Sequence, residues 1–397
     1  MAEGSGSGVL RLLSGQRIVD ALFASHPRQM SRAGIARATG LSKPTVSALI
    51  ADMESAGLVR VSDESPSSGS IGRPAALYEL VPTARHSVVA DIGATKILVG
   101  LCDLFGNLVA EQELETGPNA GAALKRLTGA GSEMLRAVDG RCHAVCVGVP
   151  GIYRPGQDRV EQALNLPGFA SLDLGARLAE HFDARVHVEN DVNLAALGEL
   201  TRMGDEQADG DFAAISVGTG IGLGMVVGGD LYRGGTGSAG ELGSLLLARP
   251  EPGAPPVTLE DVASAPSIRK RLGQAIEDGH RTAVDAGADV PEIFGAAASG
   301  DEAAAAVLDE VAAAMALAVS HLCLIADPTR IVFGGGVGAN PTFVDAVRGH
   351  LASLVATPPE LAASTLGRSA ALVGAVSMSL RLVHESLVAE ILGDQPR

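Results

Sequence analysis

Six residues, Asp91-Ile92-Gly93-Ala94-Thr95-Lys96, put a carboxylate, a bare backbone, a hydroxyl and an ammonium into one tight turn. Val88-Val89-Ala90 precedes them and Ile97-Leu98-Val99-Gly100-Leu101 follows, so two apolar strands are expected to meet there. Such a set handles phosphate. Gly93 lets backbone N–H groups come close to phosphate oxygens, Thr95 and Lys96 can donate to them, and Asp91 can hold Mg²⁺ directly or through water. Taken alone, an ordinary hairpin with a solvated Asp and Lys reads the same way. Its partners further along the chain decide.

A second Gly-rich turn, Val217-Gly218-Thr219-Gly220-Ile221-Gly222, also lies between two strands, the later one being Leu223 to Val227. Both halves of this region therefore open with a strand, a Gly/Thr turn and a returning strand. That is the mark of an internal duplication, which would set two phosphate-holding turns opposite each other across a cleft. Between them Glu189-Asn190-Asp191-Val192-Asn193 follows a strand expected at Arg185-Val186-His187-Val188 and starts a helix through Leu194 to Leu200. A carboxylate at a strand end can take a proton from a substrate hydroxyl, which makes Asp191 a candidate base, and Asn190 and Asn193 can hydrogen-bond neighbouring hydroxyls. The plainer reading of Asp191 is a helix cap. Pro150-Gly151 closes another strand and would border the substrate. Near the end, Arg330-Ile331-Val332-Phe333 runs into Gly334-Gly335-Gly336, leaving room for a flat group such as adenine or for close helix–strand packing.

What must position these residues follows from bulk properties. At 397 residues the chain exceeds one ordinary core, and two or three domains are expected. Composition is that of a soluble globular protein, 46% hydrophobic and 19% charged. Four scattered cysteines, Cys102, Cys142, Cys146 and Cys323, do not make a disulfide framework, and a reducing cytoplasm is expected. Cys142-His143-Ala144-Val145-Cys146 reads as a buried strand with core thiols before it reads as a metal site. Residues 1–8 are small and polar, so no secretory leader is expected. Phe212 to Gly229 carries no charge for 18 residues but is broken by glycines, so no membrane span is expected either. Net charge is −16, unevenly placed: residues 1–80 hold eight basic against seven acidic residues, and the remainder 22 against 39. An acidic body cannot hold a polyanion without specificity, so any nucleic acid must be read by the first 80 residues.

Those residues have the pattern for it. Val9, Leu10, Leu13, Ile18, Val19, Leu22 and Phe23 have helical spacing, and His26-Pro27 ends that helix. Ser31 opens a short helix that Gly40 closes, and Ser42 caps a third, with Pro44 in its first turn and Val46, Leu49, Ile50 and Met53 facing inward. This is a helix-turn-helix plan. Ser42, Lys43, Thr45 and Ser47 offer donors for phosphates and base edges in a major groove. Strands at Leu58–Val61 and Ala76–Leu80 flank a Ser/Gly-rich loop ending Gly72-Arg73-Pro74, a wing with Arg73 placed for a minor groove.

Asp-Ile-Gly-Ala-Thr-Lys at 91–96, Asn-Asp-Val-Asn at 190–193, Val-Gly-Thr-Gly-Ile-Gly at 217–222, Gly-Glu-Leu-Gly at 240–243 and Phe-Gly-Gly-Gly at 333–336 together resemble the ROK family of repressors, open reading frames and sugar kinases. The winged module resembles its repressor branch, as in xylose and N-acetylglucosamine repressors. The resemblance implies an α/β protein: a winged helix-turn-helix at 1–82, then a two-lobed actin/hexokinase-like ATPase fold (a duplicated ribonuclease H-like unit) with lobes at 83–200 and 201–397, the last helices packing back on the first lobe. It implies Asp91, Gly93, Thr95 and Lys96 as one phosphate loop, Gly218, Thr219 and Gly220 as the other, and Gly334, Gly335 and Gly336 in an adenosine pocket. Asn190, Asp191, Glu241, Asn165 and Gly151 would meet a sugar, with Asp191 the base if phosphoryl transfer occurs.

One segment departs from the family. After Gly-Glu-Leu-Gly the family places a histidine and a cysteine-rich run that bind structural zinc; here Ser244 stands first, and residues 245–256 hold no Cys or His. No structural zinc is expected, because a closed site needs four N or S ligands. The expected partners are operator double-stranded DNA, a sugar or sugar phosphate, Mg-ATP as an optional ligand that DNA binding does not require, and further copies of the chain in a homodimer or homotetramer, with no membrane. The expected function is a sugar-responsive repressor; the alternative is an ATP-dependent sugar kinase.

Overall fold

The computed structural model describes residues 4–62, 75–161, 166–203, 210–248, 255–285 and 287–393. Three helices open it, Gly4–Ser25, Arg32–Thr39 and Lys43–Ser55. Ser31 accepts from the Gly34 N–H and caps the second, which ends on Gly40 at φ 70°. Ser42 caps the third. Strands Val59–Val61 and Leu77–Leu80 pair antiparallel, and Met30–Ser31 adds to the far side of Leu77–Leu80. The wing hairpin is therefore present as expected. Arg73 and its loop lie outside the described residues.

The body holds two five-stranded sheets. The first is made, in chain order, of His86–Ile92, Lys96–Cys102, Leu108–Glu115, Cys142–Val149 and Arg185–Asn190. The second comprises Phe212–Val217, Ile221–Val227, Asp230–Leu231, Arg330–Gly334 and Glu360–Ala363. In each, the first three strands form an antiparallel meander and the fourth and fifth lie parallel to the first on its other side. Parallel neighbours need crossovers, supplied by helices such as Ala120–Ala137 and Leu174–Phe182 in the first lobe and Glu302–Ala326 and Pro341–Leu351 in the second. The duplication is thus one of topology, strand for strand.

Two helices fill the space between the sheets, Asp191–Arg202 and the last helix, Ala370–Leu392. Leu194, Leu197, Leu372, Ala375 and Met378 share one core with Val89, Cys102 and Cys146 of the first sheet and Phe212, Ala214 and Val226 of the second. The two helices touch through bare backbone. A Cβ at Gly198 would fall on the Ala370 carbonyl, and one at Gly374 on the Leu194 carbonyl. Cys102 and Cys146 are buried, Cys142 and Cys323 half-buried, and all four are free thiols.

The last helix leaves this core at its far end and enters another. Val383, Leu387, Val388 and Leu392 are buried with Ile18, Leu22, Ile50 and Met53 of the winged module and with Leu104 of the first lobe. Phe105 completes the seam, stacked on His26 at 3.8 Å and edge-on to Phe23 at 5.3 Å. Burying each large apolar side chain is worth roughly 1.5–3 kcal/mol, so this seam fastens the winged module to the body.

Candidate functional site

Two cavities lie between the lobes and meet at Gly93, Asp191, Val192 and Ser216. The smaller, about 260 Å³, is lined by Asp91, Thr95, Lys96, Glu199, Gly334, Gly335, Ser364 and Arg368. The larger, about 470 Å³, is lined by Pro150, Gly151, Asn190, Asn193, Glu241, Ser244, Glu260 and the turn Gly218 to Gly222. Asp191 therefore stands at the junction, with Asn190, Asn193 and Glu241 on one side and Asp91, Thr95 and Lys96 on the other. That is where a group serving both cavities belongs.

Asp191 does not cap its helix. Asn190 does, its side chain accepting from the Asn193 N–H at 3.0 Å while its amide donates to the Gly151 carbonyl at 3.1 Å. Asp191, the first helical residue, is left free to face the cleft, apart from a bond from the Val192 N–H at 2.9 Å. Burial pushes its carboxyl up to about 6, against that backbone bond, and Glu241 adds to the rise. Burial and then the charge of Asp191 push Asp91 up to about 7, so the two titrate as a pair. Asp91 Oδ1 is buried without a hydrogen-bond partner. Two carboxylates raised together, one with an orphan oxygen, fit a divalent cation shared with phosphate, which would hold both ionised.

Glu189, which the sequence reading passed over, holds this corner in place. Its Oε1 accepts from Asn193 Nδ2 at 3.0 Å and from the Asn190 N–H at 3.1 Å. Its Oε2 takes Arg233 Nε of the second lobe at 2.6 Å, with His187 Nε2 at 3.5 Å. Burial alone would raise its pKa, but His187, Arg233 and Asn193 hold it at about 2. A second tie crosses the cleft where Arg154 donates to Ser238 Oγ at 3.1 Å. Glu260 was also missed. Its Oε2 accepts from the Ile221 N–H at 3.0 Å and would lie 2.9 Å from a Cβ at Gly243, so this carboxylate fills the space beside Gly-Glu-Leu-Gly. Glu241 faces it, raised by burial and then by the charge of Glu260, with Arg154 opposing. The only sign of Glu260 in the sequence is its place just after the segment without Cys or His.

Several placements differ from expectation. Gly218, Thr219 and Gly220 line the larger cavity together with Gly93 and Ala94 of the first turn, while Gly334 and Gly335 line the smaller one. The Glu260 bond to Ile221 holds that turn there. The Gly93 N–H is occupied by the Lys96 carbonyl at 2.9 Å and the Gly218 N–H by the Gly220 carbonyl at 2.9 Å, so neither amide points free at a ligand. Gly335 is bare for packing: at φ 79° a Cβ there would collide with the Val217 backbone, while Gly334 and Gly336 are open and Gly336 lines neither cavity. Lys96 is paired with Glu113. Asn165 lies outside the described residues. In the winged module Ser42 and Lys43 are exposed, but Thr45 and Ser47 are half-buried, Thr45 being turned back to within 2.8 Å of Ser42 Oγ. Ser244 ends a 3-10 turn, and backbone bonds from Leu247 to Val257 and from Leu259 to Leu245 close the base of the loop in which family members hold zinc. Residues 249–254 of that loop lie outside the described residues.

A family model named ROK matches residues 88–381, and the chain belongs to that family. A MarR family model matches residues 21–67, the helix-turn-helix and first wing strand. The chain thus joins a DNA-binding module to a ROK body. It is 34% identical over 293 residues to the bifunctional enzyme NanE/NanK of Brucella melitensis, covering 73% of this chain but only 53% of that protein, about half its length. It is 29% identical over 316 residues to a glucokinase of Halalkalibacterium halodurans, covering 73% of this chain and 93% of that one. The crystal structure of a ROK family transcriptional regulator, a homologue of the E. coli MLC protein, superposes with a TM-score of 0.77 at 20% identity, over 97% of this chain and all of the other. That likeness extends the shared fold through the winged module.

Proposed function

We propose that the chain is a DNA-binding transcriptional regulator whose interlobe cleft takes a sugar or sugar phosphate and whose operator affinity follows the state of that cleft. One observation carries the reading. The last helix starts with Ala370 and Ala371 on the wall of the smaller cavity and ends with Leu387, Val388 and Leu392 in the core of the winged module. At 23 residues it spans about 35 Å as a single rigid element. Any rearrangement of the lobes that moves its start moves the reading head at its end. A coupling of roughly 1–3 kcal/mol, or about 5–150-fold in operator affinity, is the usual range for such devices. The small module, with one net positive charge, favours two copies on a pseudo-palindromic operator, hence a homodimer or homotetramer acting in the cytoplasm.

The second reading, a sugar kinase, is favoured by the position of Asp191 where the two cavities join and by the glucokinase relative. In that case Asp191 takes the proton of a sugar hydroxyl as it attacks a nucleotide phosphate. One experiment separates the two: operator binding with DNA from the protein's own promoter region, over a panel of sugars and sugar phosphates, with and without Mg-ATP. A sugar that shifts operator affinity without consuming ATP supports the regulator. Absent specific DNA binding, together with sugar-dependent ATP turnover that Asp191→Asn abolishes, establishes the kinase instead.

A further inference from the structure

Among the described residues lining the smaller cavity, only two are cationic, Lys96 from the first lobe and Arg368 from the second. Neither is free. Lys96 donates to Glu113 Oε1, and Arg368 Nη2 donates to the other oxygen of the same carboxylate at 2.7 Å. Glu113 sits on the edge strand Leu108–Glu115, opposite Leu98, and joins the two lobes without itself lining the cavity. A carboxylate with one cation on each oxygen, one from each lobe, holds the same two donors that a phosphate group between the lobes would use. Inside the mouth, by contrast, the polar wall is acidic, with Asp91, Asp191 and Glu199.

We infer that Glu113 is a built-in competitor for phosphate: it ties Lys96 to Arg368 while the cleft is empty, and a polyphosphate anion enters by displacing it, with Arg368 as its second-lobe ligand. The exchange trades one anion for another on the two cations, and the displaced Glu113 carboxylate, exposed on its edge strand, goes to solvent. It also has a path to the winged module, because Arg368 belongs to the turn Gly367–Ser369 that leads straight into the last helix at Ala370. The inference rests on the reading of this cavity as a phosphate site, which the test below examines separately.

Titration calorimetry with Mg-ATP and, separately, with tripolyphosphate should be run on the full chain and on Glu113→Gln, Glu111→Gln and the double variant Glu113→Gln/Arg368→Gln. Glu111 is exposed and lies two residues back on the same strand, so its substitution removes the same charge without touching the bridge. Exposed pairs are individually weak, so the gain in Glu113→Gln should be about three- to tenfold in affinity. Glu111→Gln should stay within about twofold of the parent, and Arg368→Gln should cancel the gain in the double variant. Equal gains for both ligands assign the effect to the phosphate chain, and a gain with Mg-ATP alone assigns it to a nucleotide. If Glu113→Gln and Glu111→Gln behave alike while the parent binds Mg-ATP, the competitor is overturned and the phosphate site stands. If none of the four proteins binds either ligand, the phosphate site itself is wrong and the competitor falls with it.

Discussion

The two lobes share one strand order and bring different things to the cleft. In the first lobe the hairpin turn closes through Gly93 and Lys96 and carries Ala94, Thr95 and Lys96 at its tip, with Asp91 just inside. In the second the turn closes through Gly218 and Gly220, and Thr219 alone carries a side chain at the tip. The returning strands differ in the same sense. A Cβ at Gly222 would meet Val192, and one at Gly224 would meet Ala196 and the Val192 carbonyl, because the helix Asp191–Arg202 lies directly on that strand. The second lobe gives up side chains so that the first lobe's helix, with Asp191 at its start, can be pressed against it. Duplicated topology therefore yields one lobe that supplies chemistry and another that supplies close approach, with Glu241 and Glu260 added from a segment outside the repeat.

The largest expected effect comes from breaking that close approach. Gly374→Ala places a methyl on the Leu194 carbonyl, where backbone meets backbone and neither side can rotate away. Overpacking of this kind costs roughly 1–3 kcal/mol, and the upper end is expected here, read as a fall in the urea midpoint. The matched change in a second-lobe helix, Gly349→Ala, meets open space and should stabilise by about 0.5 kcal/mol through helix propensity. A negligible loss in Gly374→Ala, no larger than the change in Gly349→Ala, would mean that the layer between the sheets is looser than its contacts.

The next effect separates the lobes by charge. Asp91 and Asp191 both come from the first lobe, and both are raised, to about 7 and about 6. A carboxyl raised above its unfolded value binds more protons in the folded state, so stability in metal-free buffer falls as pH rises from about 4 to about 7. Asp91→Asn removes the penalty and should stabilise the chain at pH 8 by about 2 kcal/mol, with little change at pH 4 where the parent is already neutral. Mg²⁺ should stabilise the parent at pH 8 and leave Asp91→Asn unmoved. If the advantage of Asp91→Asn over the parent were no larger at pH 8 than at pH 4, the pair would be solvated.

Much of this was legible because it is local. The capped helices of the winged module, both hairpins and the strand before Asp191 follow from Ser31, Gly40, Ser42 and short apolar runs whose signals lie within a few residues. The site was legible where side chains sit at strand ends, as at Asp91, Asn190 and Asp191. What stayed hidden depends on partners far apart in sequence. Glu189 looks like one more surface charge until Arg233 arrives from the other lobe, and Glu113 sits among the acidic residues of an edge strand until Arg368 meets it. The Gly218 turn shares the larger cavity with Gly93 and Ala94, but its anchor, Glu260, lies 40 residues on from Gly220 and gave no local signal.

The smallest effect lies outside the lobes and sharpens their contrast with the winged module. The body carries all of the acidic excess, so DNA is expected to be held where residues 1–80 offer a cation or a donor. Lys43 is exposed at the start of the recognition helix and has no ion-pair partner among the described residues, whereas Arg11 and Arg60 are paired with Asp52 and Glu79. Its contact with DNA should be to phosphate, since a flexible ammonium fixes no base pattern. Lys43→Ala should therefore weaken operator and non-operator DNA alike, by about 1 kcal/mol, and lower the salt slope of binding by about 0.9. Ser47→Ala, half-buried on the same helix, should leave the salt slope unchanged. If Lys43→Ala instead relaxed discrimination between operator and other DNA at constant salt slope, Lys43 would be reading a base edge, and this helix would enter the groove more deeply than its half-buried Thr45 and Ser47 imply.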